Sequence, residues 1–460
     1  MPRGSLFKNK PSQFLSPGVS VIIIAAVSFA VLGCTLSPPS AQDSLRTNPA
    51  LLQTHVKWWR PLGDLALNDD IDTAFSSNPS LETIALRIHQ AEASISAAQA
   101  ALLPALKISW GYHEGRKREP DFGPYSPAPW KTKGLLSWEA DLSGKLRSLR
   151  EAAIADSEAA LWDYHAARLL LSTEIAATRL NLYRLNAEIH SLEQSMQANR
   201  DALTLLSEQH RAGLLNEATL ADQRAENRKL ERHHLNLIRL RDRSLIQLRT
   251  LRGGTPGSNL GRASFPPLPK FSPRPLRGAL SAHPSLLVAA AKVKAAFHLE
   301  RSARLNLLPT LKFTALASGR THSLTERYRS WMNSVGPTLD IPIYDPRRLA
   351  ALQARKALKR SAAADYRATA LQILEEVDTA QINLRSHRAQ TAKVRQELRE
   401  VQRARDVVRE QWKAGLTSRV SDLEAQRRWL SVSRTALNLQ QATLNSYLNL
   451  IKAVGGGTLD

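Results

Sequence analysis

A chain of 460 residues with 43% apolar side chains has enough hydrophobic surface for a packed core, which excludes wholesale disorder. Only 6% of residues are aromatic while Ala, Leu, Arg, Gln and Glu fill long stretches, a composition of long helices and not of an α/β enzyme. The 63 basic residues against 41 acidic ones give a formal charge of +22, which points first to nucleic acid or another anionic surface.

The N-terminus turns that reading away from nucleic acid. No charged residue falls between Lys10 and Asp43, and Val19 to Leu32 is a nearly continuous apolar run preceded by Arg3, Lys8 and Lys10. This is the layout of a secretory signal peptide, and about 14 residues fall short of the roughly 20 a helix needs to cross a bilayer. The stretch Val31-Leu32-Gly33-Cys34 resembles a bacterial lipobox, and Cys34 is the single cysteine of the chain. Residues 1–33 are therefore expected to be removed and Cys34 to be lipidated as the mature N-terminus. Thr35 in place of Asp after that cysteine implies transfer to the outer membrane. The leader carries three positive charges and no negative ones, so the mature chain keeps +19.

After an N-terminal segment over 34–78, the chain repeats itself. Asn78-Pro79-Ser80-Leu81 returns as His283-Pro284-Ser285-Leu286, and Leu102-Leu103-Pro104 as Leu307-Leu308-Pro309, both at an offset of 205. Asp163-Tyr164, Asn181-Leu182 and Arg211-Ala212-Gly213-Leu214 return as Asp365-Tyr366, Asn383-Leu384 and Lys413-Ala414-Gly415-Leu416, all at 202. Two duplicated halves follow, 79–252 and 284–454, joined by a Pro/Gly-rich linker over 253–283 and ended by a tail over 455–460.

In each half a short helix leads into two strands. Leu106, Ile108, Trp110 and Tyr112 alternate with Lys107, Ser109 and Gly111; Leu136, Trp138, Ala140 and Leu142 alternate with Ser137, Glu139 and Asp141. The second half repeats the device with Leu311, Phe313, Ala315 and Ala317, then Val335, Pro337, Leu339, Ile341 and Ile343. The strand pairs thus occupy about 106–142 and 311–343. An apolar face beside a polar one at this length suits a barrel wall, with Trp110, Leu136, Trp138, Phe313, Leu339 and Ile341 toward lipid; a soluble two-sided sheet is the alternative. Pro337 and Pro342 fit a strand interior poorly, because each removes a ladder donor.

Long helices follow each strand pair. No proline occurs between Trp130 and Thr255 or after Pro346, and within 145–252 and 347–454 the only glycines are Gly213 and Gly415. Each half is expected to hold a helix of some 66 residues, about 100 Å at 1.5 Å per residue, that turns at its glycine and runs back. Leu171, Ile175, Thr178, Leu182, Leu185, Ile189, Leu192 and Met196 step by four and three, as do Tyr366, Ala370, Ile373, Val377, Ala380 and Leu384, which is a coiled-coil seam. Four strands cannot close a barrel, and an open edge is not tolerated in hydrocarbon, so the chain must oligomerise.

Trp58-Trp59-Arg60 with Gly63-Asp64, Asn78-Pro79-Ser80-Leu81, Ala100-Ala101-Leu102-Leu103-Pro104, Ala212-Gly213-Leu214, Ala414-Gly415-Leu416 and Gly455-Gly456-Gly457 carry a resemblance over nearly the whole mature chain. Together they resemble the outer-membrane factor family, the TolC-like exit ducts of tripartite efflux pumps and type I secretion, and within it the lipidated NodT-type branch. The resemblance implies a mainly helical fold with a small β part, assembled as a homotrimer with a twelve-stranded β-barrel in the outer-membrane lipids and a twelve-helix tube below it. It implies a passive duct for small molecules, served by an inner-membrane transporter and a periplasmic adaptor, without cofactor. A duct for polypeptides and a non-conducting coiled-coil tether are the alternatives. An enzyme is disfavoured: the twelve His are scattered, adjacent His233 and His234 point about 100° apart on a helix, and no catalytic or metal motif appears.

The resemblance also implies a periplasmic aperture at the hairpin turns. Asp222 and Glu424 stand nine residues past Gly213 and Gly415, and Glu424 matches a place where the family keeps an acid. Arg419 is expected to brace the closed aperture through an acid of a neighbouring helix. Gly213-Leu214 and Gly415-Leu416 offer an apolar tip for adaptor helices. Family ducts tend to acidic interiors, so if the basic excess lines the bore, anionic cargo is favoured.

Overall fold

The computed structural model describes residues 57–112, 117–119, 123–125, 129–255, 265–268, 282–321 and 330–456. The expected leader, Cys34, most of the linker and Gly457 lie outside the described residues. The elements run α1 (Leu65–Ser77), α2 (Pro79–Ala100), β1 (Ala105–Tyr112), a small hairpin of β2 (Lys117–Glu119) and β3 (Gly123–Tyr125), β4 (Trp130–Ala140), α3 (Lys145–Arg211), α4 (Glu217–Leu251), α5 (Pro284–Leu305), β5 (Thr310–Thr321), β6 (Ser330–Asp340), α6 (Pro346–Lys413) and α7 (Arg419–Ala453). A 3-10 turn over Arg60–Leu62 precedes them.

The two long helices, α3 and α6, hold 67 and 68 residues. Both end in the same way. Gly213 and Gly415 take φ of +75°, and the N–H of the leucine after each donates to a carbonyl five residues back: Leu214 to Gln209 at 2.9 Å, Leu416 to Gln411 at 2.8 Å. The left-handed residue is one that glycine adopts at no steric cost, and the paired bonds satisfy carbonyls left orphaned at a helix end. Asn216 and Ser418 then cap the return helices by accepting from Thr219 N–H and Ser421 N–H.

Most of each seam is buried, while Leu171 and Ala370 are half-buried and Tyr366 is exposed. Ile175, Thr178, Leu182, Leu185, Ile189, Leu192 and Met196 of α3 are buried, as are Ile373, Val377, Ala380 and Leu384 of α6. Leu185, Ile189, Leu192 and Met196 meet Leu230 and Leu237 of α4. The larger core lies midway along α3, where Trp58, Trp59 and Ile71 meet Ile175, Leu182, Ile373, Leu450 and Ile451. Here the return helices stop and the short helices begin: α2 packs on α3, while α5 packs on both α3 and α6. Four helices therefore lie side by side toward the sheet (α2, α3, α5, α6) and four toward the turns (α3, α4, α6, α7).

The main sheet has the order β1-β4-β5-β6, antiparallel throughout, so β1 and β6 are its edges. Its strands differ at the ends from the periodicity. β4 begins at Trp130 and not near Leu136, because Trp130 and Thr132 continue the alternation opposite Tyr112 and Trp110. β6 ends at Asp340 and β4 at Ala140, which leaves Ile341, Pro342, Ile343 and Leu142 past the strands. Pro337 stays inside β6, an edge strand, where a missing donor is tolerated. A salt bridge joins each strand end to the helix that follows: Glu139 to Lys145 at 2.5 Å, Asp340 to Arg348 at 3.0 Å.

Candidate functional site

The register divides the sheet into two chemically different faces. Across the strands Trp110 is level with Thr132, Leu136 with Leu106 and Ala315, and Trp138 with Phe313; Phe313 is level with Pro337 and Leu339 with Leu311. Side chains alternate along a strand, so Leu106, Ile108, Trp110, Tyr112, Leu136, Trp138, Phe313 and Leu339 share one face. Ile341 continues its parity past the end of β6. Trp110, Leu136, Trp138, Phe313, Leu339 and Ile341 are all exposed in the single chain, as are Ile108 and Val335. So large an exposed apolar surface marks a site of lipid or protein contact.

Aromatic rings gather at both ends of that face. Farthest from the helices, Trp130 packs against Trp110 and Tyr112 with ring centroids 5.7 and 5.2 Å apart. Nearest the helices, Trp138 stacks on Phe313 at 5.6 Å, and its Nε1 donates to the Leu102 carbonyl at 2.9 Å. Amphipathic rings in two rows with aliphatic residues between them match the girdles at the two interfaces of a bilayer. Among the described residues no helix is long and apolar enough to cross a membrane.

The opposite face is polar. It carries Lys107, Lys131, Lys133, Lys312 and Arg320 against Glu139 and Asp340, with Ser, Thr and Gly between them and Leu135, Leu316 and Met332 as its large apolar members.

At the other end of the hairpins, Leu214 and Leu416 are both 79% exposed, so the turns present bare apolar side chains. Asp222 and Glu424 are exposed on the second turns of α4 and α7. Arg419 is held by its own helix and by two others. It pairs with Asp422, donates through Nη2 to the Ala198 carbonyl of α3 at 3.1 Å, and lies over the Trp412 ring of α6 at 4.1 Å. Its acid is on the same helix, where the sequence reading placed one on a neighbour. Asp422 is buried and was missed, although an Arg-x-x-Asp spacing at a helix start is a local pairing signal. At the equivalent places of the first hairpin, His210 Nε2 lies 2.9 Å from Glu217 and Leu220 replaces the buried acid.

A third group of side chains fixes the N-terminal segment: the Trp58-Trp59-Arg60 and Gly63-Asp64 motif is visible in the sequence, but its distant partners are not. Trp58 Nε1 donates to Ser172 Oγ at 3.0 Å. Asp64 caps α1 through Ala66 N–H and Leu67 N–H, and also accepts from Tyr183 OH and from Arg179 Nε. The fully buried Asp70 pairs with Arg179 on one side and Arg252 on the other. Burial, together with the bond to Asp64, holds the Tyr183 phenol well above its ordinary pKa, so it remains a donor. Among the described residues no cluster of His, Asp and Glu could hold a metal.

A duplicated pair of strand-and-hairpin units, one lipid-compatible sheet face and two open sheet edges define a recognisable protein. The sequence profile for outer membrane efflux proteins matches residues 71–254 and 276–456, one stretch for each half. The chain belongs to the outer membrane efflux protein family. It is thus an outer-membrane channel of the TolC-like kind, a component of tripartite efflux pumps that extends into the periplasm, in a family of transport proteins and not of enzymes. The efflux channel is 26% identical to the pyoverdine export outer membrane protein OpmQ of Pseudomonas aeruginosa, over 93% of each chain. Its fold matches the outer-membrane channel OprN with a TM-score of 0.78 at 19% identity, covering 88% of this chain and 94% of the other. The Campylobacter jejuni CmeC outer membrane channel matches with a TM-score of 0.77 at 22% identity, covering 88% and 89%.

Proposed function

We propose that three copies of this efflux channel close into one duct, each giving four strands to a twelve-stranded barrel and four helix passages to a twelve-helix tube. The observation that carries the reading is the sheet: one face is apolar and exposed while the edges β1 and β6 are open. Unpaired backbone groups cost several kcal/mol each in hydrocarbon, so β6 of one copy must pair with β1 of the next. The apolar face then meets lipid and the polar face lines the bore. The tip leucines Leu214 and Leu416 dock a periplasmic adaptor, and an inner-membrane transporter supplies the energy. Cys34 carries acyl chains that add a second hold on the outer membrane. Small molecules are the cargo, in keeping with relatives named for pyoverdine and toluene export.

The test joins cross-linking in detergent to single-channel recording in planar bilayers. Covalent trimers and discrete conductance steps are expected. A dimer as the largest product would sink the twelve-strand count, and a sample that never conducts would favour the tether.

A further inference from the structure

The polar face of the sheet is not evenly charged along its length. Its two acids both lie at the helix-proximal end. Glu139 is level with Lys312 and bonds Lys145, and Asp340 bonds Arg348. Toward the opposite end the same face carries Lys131, Lys133 and Arg320, with Lys107 at mid-height, level with Leu135, and among the described residues none of these forms an ion pair with a carboxylate. Lys131 and Arg320 are direct register partners on neighbouring strands. Lys133 shares their face two residues along β4, about 7 Å away at the rise of a strand.

Like charges directly opposite one another destabilise an antiparallel pair. Lys131 facing Arg320 with Lys133 beside them is therefore an arrangement that folding alone disfavours. We propose that Lys131, Lys133 and Arg320 form a basic collar in the outer half of the barrel, with Lys107 below it at mid-height, that makes the duct selective for anions, and that its cargo includes organic solutes bearing carboxylates or related oxyanions. The proposal rests on the trimeric-barrel reading, in which the polar face lines the bore. Three copies bring three such cations each to one ring of wall, nine in all. A narrow bore with low-dielectric walls focuses that field, concentrating counter-ions of one sign and excluding the other. Arg320 adds a planar fork suited to carboxylate geometry. Lys312 belongs to the polar face but not to the collar, because Glu139 opposes it.

The measurement is the reversal potential of the channel in planar bilayers under a threefold KCl gradient, starting from 0.1 M. The unmodified channel should pass chloride several-fold more readily than potassium. The triple variant K131Q/K133Q/R320Q should move the ratio toward unity, the triple variant K131E/K133E/R320E should reverse it, and K312Q should leave it nearly unchanged. Raising the salt to 1 M shortens the screening length to about 3 Å and should shrink the difference between variants. The single R320Q variant keeps the test open if the reversed triple fails to assemble, and a partial shift is expected from it. A conducting channel that prefers potassium, or whose reversal potential is the same in the glutamine triple as in the unmodified protein, overturns the collar. A channel that never conducts overturns the duct reading and the collar with it.

Discussion

Asn78 Nδ2 donates to the carbonyl of Leu251 at 2.8 Å, which ties the first residue before α2 to the last residue of α4 across 173 positions of sequence. The same side chain accepts from Ser80 N–H and Leu81 N–H, so one residue caps the short helix and fastens the end of the return helix to it. The two helices thereby continue one another alongside α3. Without this joint the wall would be interrupted at mid-length. Replacing Asn78 with Ala removes a cap worth about 1 kcal/mol and leaves the part-buried Leu251 carbonyl without this donor, at about 1 kcal/mol more. Gly253, at φ +72° just past α4, is less forgiving: a Cβ there would lie 2.0 Å from the Ser77 carbonyl oxygen. Thermal melts followed by circular dichroism in detergent should rank the variants wild type, then N78A, then G253A, with G253A the least stable.

The second half uses His283 where the first uses Asn78, and that difference should appear as pH dependence. His283 Nδ1 accepts from Ser285 N–H at 3.2 Å, which places the ring proton on Nε2, and the side chain also bonds the backbone of Lys452 at the end of α7. Burial lowers its pKa below the ordinary 6.5, so the folded protein holds it neutral. Below pH 6.5 the unfolded chain binds a proton that the folded chain refuses, and the stabilisation is lost as pH falls from 6.5 toward the lowered value. A fall in melting temperature between pH 7 and 5.5 is expected, and H283N, which copies the first repeat, should flatten it. An equal slope in both proteins would show that His283 is not the titrating group.

Asp70 is completely buried between Arg179 and Arg252, which join α1 to α3 and to the end of α4. Removing one member of such a group leaves charge uncompensated in the interior, typically at 3–5 kcal/mol. Asp70→Ala should therefore release the N-terminal segment. Limited proteolysis of the trimer should cut between Trp58 and Asn78 in the variant and not in the unmodified protein. The sheet's periodicity, the two glycine turns and the coiled-coil seams were all legible in the sequence, because each is a local pattern set by the backbone period. This ionic group was not. Asp70 meets partners 109 and 182 residues away, and nothing in the neighbourhood of Asp70, Arg179 or Arg252 distinguishes them from solvated helix charges. The start of β4 was hidden for a related reason: Lys131 and Lys133 are legible as a strand only once Tyr112 and Trp110 are seen opposite.

At the hairpin tips the arrangement around Arg419 predicts a gate with two separable parts. Arg419 holds α7 to α3 and α6 through Ala198 and Trp412, whereas Glu424 is exposed and free to line an opening. Three Glu424 carboxylates around one axis would bind divalent cations and repel one another. Glu424→Ala should abolish block by millimolar divalent cations while leaving the resting conductance low. Arg419→Ala should raise the resting conductance and keep the block. Single-channel recording separates the two, and block of equal strength in E424A and the unmodified channel would remove Glu424 from the aperture.

The two aromatic rows fix the depth at which a charge on the lipid face does most harm. Replacing Trp138 with Arg would cost about 2–4 kcal/mol if the ring lay near the midplane of the bilayer. Its bond to the Leu102 carbonyl and its stack on Phe313 place it in the row nearest the helices; in the proposed barrel that row lies at an interface, where the same substitution costs about 0–1 kcal/mol. Ile108 lies between the rows, level with Gly134, and is 60% exposed on the same face. Ile108→Arg should carry the midplane penalty that Trp138→Arg escapes. The comparison is made by urea titration of the protein in lipid vesicles, with the folded fraction at each urea concentration read from the unheated band on gels. Equal destabilisation by the two substitutions would mean that the rings do not mark the membrane boundaries.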